Sequence, residues 1–140
     1  MKRGGSAVWR GGLRDGKGTV STDSGALRDK AYGFSTRFEN EPGTNPEELV
    51  AAAHAGCFSM AFSAELAKAG ITAESIETKA TLDFDKTDDG WTVKSIHLDT
   101  TAKVPRADRV KVQAAAKAAE KTCPISRLLK ADISMSLRIL

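Results

Sequence analysis

Cysteine is scarce in this chain, which carries two thiols, Cys57 and Cys123, in 140 residues. They do not form a C-x-x-C pair, so neither a local dithiol motif nor a metal site built from neighbouring cysteines is encoded. Runs of like charge are missing too. The 21 basic and 18 acidic residues are interspersed and sum to a mild +3, which gives no sign of a nucleic-acid partner. The N-terminal MKRGGSAVWRGG begins basic but continues into glycines, so no secretory signal is expected. The most apolar run is interrupted by His54 and Ser59 and reads as too short for a membrane span. These features predict a cytoplasmic protein with no membrane association. With no repeat and no low-complexity segment, residues 1–140 read as a single domain, able to bury about two thirds of its unfolded surface.

What is present centres on Thr44 to Gly70, TNPEELVAAAHAGCFSMAFSAELAKAG, which predicts a helix apolar on nearly every side with a cysteine in its middle. Thr44 or Asn45 can cap it, Pro46 suits its first position, and Glu47 or Glu48 completes a capping box. Lys68 and Gly70 mark its end. So apolar a helix belongs inside, either as the spine of this fold or as part of a larger, shared core.

Upstream, short strands are expected at Ala7–Arg10 and Thr19–Thr22, and another at Tyr32–Phe38. In that last segment Phe34, Thr36 and Phe38 would share one strand face, and Arg37 would take the other, either solvated or covered by a partner subunit. Gly11, Gly16 and Lys17 come close to a phosphate-binding loop, but Gly18 stands where a hydroxyl is needed and a strand pattern follows, so a hairpin turn is predicted. Downstream, Ala73–Lys86 and Trp91–Val104 alternate as a hairpin around Asp88-Asp89-Gly90, and a change of parity after Val93 predicts a bulge near Lys94-Ser95. His97 should face solvent. Asp108 should cap a helix from Arg109 to Lys121, Cys123-Pro124 should open a short helix from Ile125 to Lys130, and Asp132–Ile139 should form a last strand.

Cys57 by itself reads as a small core residue. Cys123, at a helix N-terminus, sits where a thiolate is favoured. Two thiols without a local motif suit a pair that meets in three dimensions and does peroxide or disulfide chemistry.

The string GTNPEELVAAAHAGCFSMA, preceded by STRFE and followed by CPISRLLKADI, resembles the osmotically inducible protein C (OsmC) and organic hydroperoxide resistance (Ohr) family of thiol peroxidases, the OsmC branch in particular. The likeness covers essentially the whole chain, including the opening SAVWRGGLRDGKGTVST. It implies an α+β fold in which two long helices pack with strongly curved antiparallel sheets in an intertwined homodimer, with active sites at the interface. By the same likeness Cys57 matches the peroxidatic cysteine, Cys123 the resolving cysteine, Arg37 the arginine that holds thiolate and peroxide, and Glu47 the glutamate that positions that arginine. The substrate would be an organic hydroperoxide and the reductant a dithiol such as a lipoyl protein, with no cofactor and no metal.

The chemistry of the residues agrees with those roles. An arginine is permanently charged and can lower a thiol pKa, and a glutamate can lock its planar fork. Phe34, Phe38, Phe58, Met60 and Phe62 would offer an apolar pocket for an alkyl hydroperoxide. On one straight helix, however, Glu47 and Cys57 would lie about 15 Å apart along the axis. Either the helix is broken or the site is assembled across a dimer interface. His54, one turn before Cys57, could serve as its base, although a hydrogen-bonded structural role is commoner for such a histidine. Two rival readings stand beside the peroxidase. A metal site of Cys57, Cys123, His54 and His97 fails on spacing. A small-molecule carrier using the same apolar pocket would keep its ligand after both thiols are alkylated.

Overall fold

The computed structural model describes residues 1–140. The chain divides into two compact units, Met1–Leu49 and Val50–Leu140. The first carries strands β1 (Gly5–Arg10), β2 (Lys17–Thr22) and β3 (Lys30–Tyr32), paired antiparallel in that order, and the short helix α1 (Phe34–Phe38). The chain leaves the glycine-rich turn as strand β2, the hairpin predicted in place of a phosphate loop. Gly18 has a packing role there: it lies in register between Trp9 and Tyr32, whose ring centroids are 5.5 Å apart. A Cβ on Gly18 would come within 2.5 Å of the Tyr32 ring and 2.6 Å of Trp9, so the two rings close over it only because it has no side chain.

The predicted strand at Tyr32–Phe38 is corrected to a strand that stops at Tyr32 and a helical turn from Phe34. The cause is local: Thr36 Oγ1 accepts from the Gly33 N–H at 2.9 Å and donates back to the Gly33 carbonyl at 3.1 Å, which bends the chain out of the sheet. Phe34 and Phe38 then meet at helical spacing with centroids 4.9 Å apart.

Helix α2 (Pro46–Lys68) opens as expected, Asn45 Oδ1 accepting from the Glu48 N–H at 2.8 Å. The Asn45 amide also donates to the Thr36 carbonyl at 3.2 Å, which ties this start to α1. It closes in a Schellman arrangement, with Gly70 N–H to the Ala67 carbonyl and Ile71 N–H to the Leu66 carbonyl, Gly70 taking φ +72°. The expectation of a wholly interior helix holds for one stripe only. His54, Phe58, Phe62 and Leu66, four residues apart, are buried, whereas Ala52, Ala53, Gly56 and Met60 are exposed, Met60 to 77%. A further correction concerns length: with a mean hydropathy of 1.3, α2 is long and apolar enough by composition to cross a membrane, although its buried stripe packs against protein.

The second unit holds β4 (Ser75–Thr87), β5 (Gly90–Lys103), α3 (Arg109–Thr122), α4 (Pro124–Leu128) and β6 (Asp132–Ile139). β4 and β5 pair antiparallel, and the register shift between Asp83 and Phe84 leaves Lys94 as the extra residue of the expected bulge. β6 lies beside β5 but runs parallel to it, so this sheet is mixed rather than antiparallel throughout. The crossover through α3 and α4 returns the chain to the end from which β5 began. Asp108 accepts from the Val110 N–H and caps α3. The core joins the α2 stripe to Val112, Ala115, Ala116 and Ala119 of α3 and to Ile96, Leu98 and Ala102 of β5. Burying each of its large apolar side chains stabilises the fold by about 1.5–3 kcal/mol.

Candidate active site

Cys57 sits half-buried on α2, and Cys123 is fully buried where α3 ends and α4 begins. Pro124 sets that junction. It cannot continue the hydrogen bonding of α3 but suits the first position of α4, so the chain turns at Cys123 with φ −56° and ψ 120°. The turn brings Cys123 Sγ within 2.8 Å of Cys57 Sγ, with both thiols free. Burial pushes the Cys57 thiol above its ordinary value, the neighbouring Cys123 thiol pushes the same way, and a backbone N–H bond from Ile125 pulls it down. Thus the Ile125 N–H at the start of α4 serves Cys57 rather than Cys123, the thiol at that helix's own N-cap.

Arg37 and Glu47 form the other pair. Arg37 Nη2 and Nε donate to Glu47 Oε1 at 2.7 and 3.0 Å, and Nε also reaches Oε2 at 3.2 Å. The guanidinium lies over the Phe38 ring, 5.0 Å from its centroid, so it is clamped by a carboxylate at its edge and a ring on its face. Beside it opens a cavity of about 240 Å³ lined by Trp9, Leu13, Tyr32, Phe34, Arg37 and Phe38. The four expected residues are therefore brought together as two pairs, Arg37 with Glu47 in 1–49 and Cys57 with Cys123 in 50–140. Of the aromatic residues expected in a pocket, Phe34 and Phe38 line this cavity. Phe58 and Phe62 do not: both are fully buried core side chains, and Met60 is exposed. Trp9 and Tyr32 were missed, and the signal for them was Gly18, whose lack of a side chain makes room for two rings across the sheet.

His54 is fully buried, and its Nε2 lies 2.7 Å from Ser126 Oγ. Burial lowers its pKa and keeps it neutral. Its bonded partner is Ser126 rather than Cys57, which favours the structural role over the basic one. His97, expected to face solvent, is half-buried and bracketed by the hydroxyls of Ser134 and Ser136 at 2.6 and 2.7 Å. Only the parallel pairing of β6 brings those serines to it. α2 is continuous from Pro46 to Lys68, which removes a broken helix as the way to unite Glu47 with Cys57.

Two sulfurs held in contact from separate elements define an α+β dithiol protein, able to pass between two thiols and a disulfide. The sequence profile of OsmC-like proteins matches residues 38–138, and the chain belongs to that family. It is 47% identical over 135 residues to peroxiredoxin OsmC of Escherichia coli K12, covering 96% of this chain and 94% of that one. It is 29% identical over 123 residues to the organic hydroperoxide resistance protein OhrB of Bacillus subtilis, covering 87% and 88%. Its fold matches a solved OsmC-like protein of unknown function from Vibrio cholerae with a TM-score of 0.79 at 17% identity, over 98% of this chain and 99% of that one.

Proposed function

We infer that this member of the OsmC-like family is a thiol peroxidase that reduces organic hydroperoxides to alcohols. The Cys57 thiolate attacks the terminal peroxide oxygen, the O–O bond breaks, the alkoxide leaves as the alcohol after taking up a proton, and Cys57 becomes a sulfenic acid. Cys123 then displaces hydroxide from that sulfur, giving a disulfide and water, and a dithiol such as a lipoyl group returns both thiols by exchange. The observation that carries this reading is the 2.8 Å approach of the two sulfurs, which needs no large rearrangement before they bond.

Arg37 stabilises the thiolate and polarises the peroxide, and Glu47 holds its fork in place. The surroundings of Cys57 within 50–140 push its pKa up, so a permanent cation is needed to supply thiolate at neutral pH. The cavity beside Arg37 takes the organic part of the substrate.

The site is assembled in a homodimer, at the interface, with residues 1–140 acting as one domain. An unbroken α2 separates Glu47 from Cys57 by about 15 Å along its axis, so the Arg37–Glu47 pair of one protomer serves the thiols of its partner. The exposed apolar face of α2, Met60 included, supports the same arrangement, since a soluble monomer rarely leaves so apolar a helix face in water. Two free thiols suit a cytoplasmic location.

The test is consumption of cumene hydroperoxide driven by dihydrolipoamide. Cys57→Ser should fall to the uncatalysed background, and Cys123→Ser should lose steady turnover while its Cys57 thiol is still consumed. A Cys57→Ser protein that keeps its rate overturns the reading, and an active monomer in sedimentation overturns the interface.

A further inference from the structure

α4 is five residues long, and its N-cap Cys123 makes no side-chain cap bond. So short a helix does not hold itself together in water, and its position must come from tertiary contacts. Ile125 and Leu129 lean half-buried on the core, and Ser126 is the one residue of α4 that is buried. Its hydroxyl meets His54, itself without exposure, at 2.7 Å. The spacing is symmetrical. His54 precedes Cys57 by one turn on α2, and Ser126 follows Cys123 by one turn on α4. The His54–Ser126 bond and the Cys57–Cys123 contact are therefore two rungs joining the same two helices.

Nδ1 of His54 is buried with no partner. A buried orphan N–H is rarer than a buried orphan acceptor, so the proton belongs on Nε2, which donates to Ser126 Oγ. Burial favours this neutral form.

We propose that His54 and Ser126 are positioning residues for disulfide formation, a hydrogen-bonded strap that holds α4 against α2 so that Cys123 stays beside Cys57 once Cys57 is oxidised. The proposal rests on the assignment of Cys57 as the oxidised and Cys123 as the resolving thiol. In that step Cys123 sulfur supplies the electron pair of the new S–S bond, the S–O bond of the sulfenic acid breaks, and hydroxide leaves, combining with the proton Cys123 gave up to form water. A second hydroperoxide competes for the same sulfenic sulfur and takes it to the sulfinic acid, which no dithiol reverses. The strap thus decides how often Cys57 is recovered rather than how fast it is first oxidised.

The experiment mixes reduced protein with cumene hydroperoxide, without reductant. It follows loss of the Cys57 thiol, formation of the disulfide and sulfinic acid at Cys57 by quenched mass spectrometry, with melting curves to verify folding. Ser126→Ala should lose the Cys57 thiol at the wild-type rate but form the disulfide about five- to tenfold more slowly, the loss expected for one buried hydrogen bond, with sulfinic acid rising in step. His54→Gln keeps an N–H at the Nε2 position and should resolve as wild type does. His54→Asn, one bond shorter, should behave as Ser126→Ala and provides a second variant. In a Cys123→Ser background Ser126→Ala should add nothing to the sulfinic yield. Wild-type resolution in folded Ser126→Ala or His54→Asn overturns the strap, as does slow resolution in His54→Gln. Cys57→Ser run alongside separates the failures: if it still consumes hydroperoxide the cysteine assignment is wrong, and if it is inactive while Ser126→Ala resolves normally, only the strap is wrong.

Discussion

The thiol pair of 50–140 rests in a core where Phe58, Phe62, Leu66, Ile96 and Leu98 have no exposure, whereas in 1–49 the only buried residue is Gly18. The two regions place their reactive groups by different means. In the larger one, core packing around half-buried Cys57 and buried Cys123, together with the His54–Ser126 hydrogen bond, holds the thiols in place. In the smaller one, Arg37 on the short helix α1 is fixed by a bidentate carboxylate at its edge and a ring on its face, contacts that direct a side chain without adding much stability. Stability and the proposed chemistry are thus divided: one unit holds the buried core and the proposed nucleophile, the other the proposed cation and the cavity beside it.

Four measurements would break or sharpen that division. Phe62→Ala, in the core, should cost about 3–5 kcal/mol of unfolding free energy in denaturant titrations, because it leaves a cavity that neighbours fill only in part. A loss below about 1 kcal/mol would mean that the core does not carry the fold. Arg37→Ala should invert the pattern. Unfolding free energy should move by about 1 kcal/mol or less, while kcat/KM for cumene hydroperoxide falls on the order of a hundredfold. Its pH–rate profile should also shift to higher pH, since burial and the adjoining thiol, opposed then only by the Ile125 N–H, would favour the protonated Cys57 thiol. An unchanged profile would remove Arg37 from thiolate stabilisation.

Gly18→Ala probes the cavity. A methyl group there must push Trp9 and Tyr32 apart, and the resulting strain, about 1–3 kcal/mol, should lower kcat/KM for cumene hydroperoxide more than for hydrogen peroxide. Equal losses for both would mean that the cavity does not receive the organic group.

The smallest effect is the pH dependence of stability from His54. Its folded pKa lies below its ordinary value of 6.5, so the unfolded chain takes up the proton first. Its contribution is therefore present above pH 6.5 and is lost as pH falls through the lowered folded value. His54→Gln should flatten that part of the stability profile, and an unaltered slope would assign it to other groups.

Much of the fold was legible in local signals. Asn45-Pro46 and Gly70 bound α2, Asp108 starts α3, Pro124 separates α3 from α4, and the parity change after Val93 marks the bulge at Lys94. Each is a contest among near neighbours, which sequence spacing records directly. The turn at Phe34–Phe38 is ambiguous in sequence because Phe34, Thr36 and Phe38 satisfy a strand alternation while Phe34 and Phe38 also satisfy a helical spacing, and the Thr36–Gly33 bonds decide between them. Phe58 and Phe62 belong to the core rather than the cavity, a choice that composition does not encode, since it tells that a side chain is apolar but not which apolar surface it joins.

By itself the sequence determined most of the elements and their approximate ends, which follow from capping and periodicity, and its likeness to the OsmC and Ohr family singled out Arg37, Glu47, Cys57 and Cys123 as candidates. Only the tertiary structure decided that β6 runs parallel to β5, that His97 lies between Ser134 and Ser136, that the sulfurs of Cys57 and Cys123 touch and that His54 bonds Ser126. Those pairings join residues far apart in the chain. Which partner each finds depends on how the helices and sheets pack, and no local spacing encodes that.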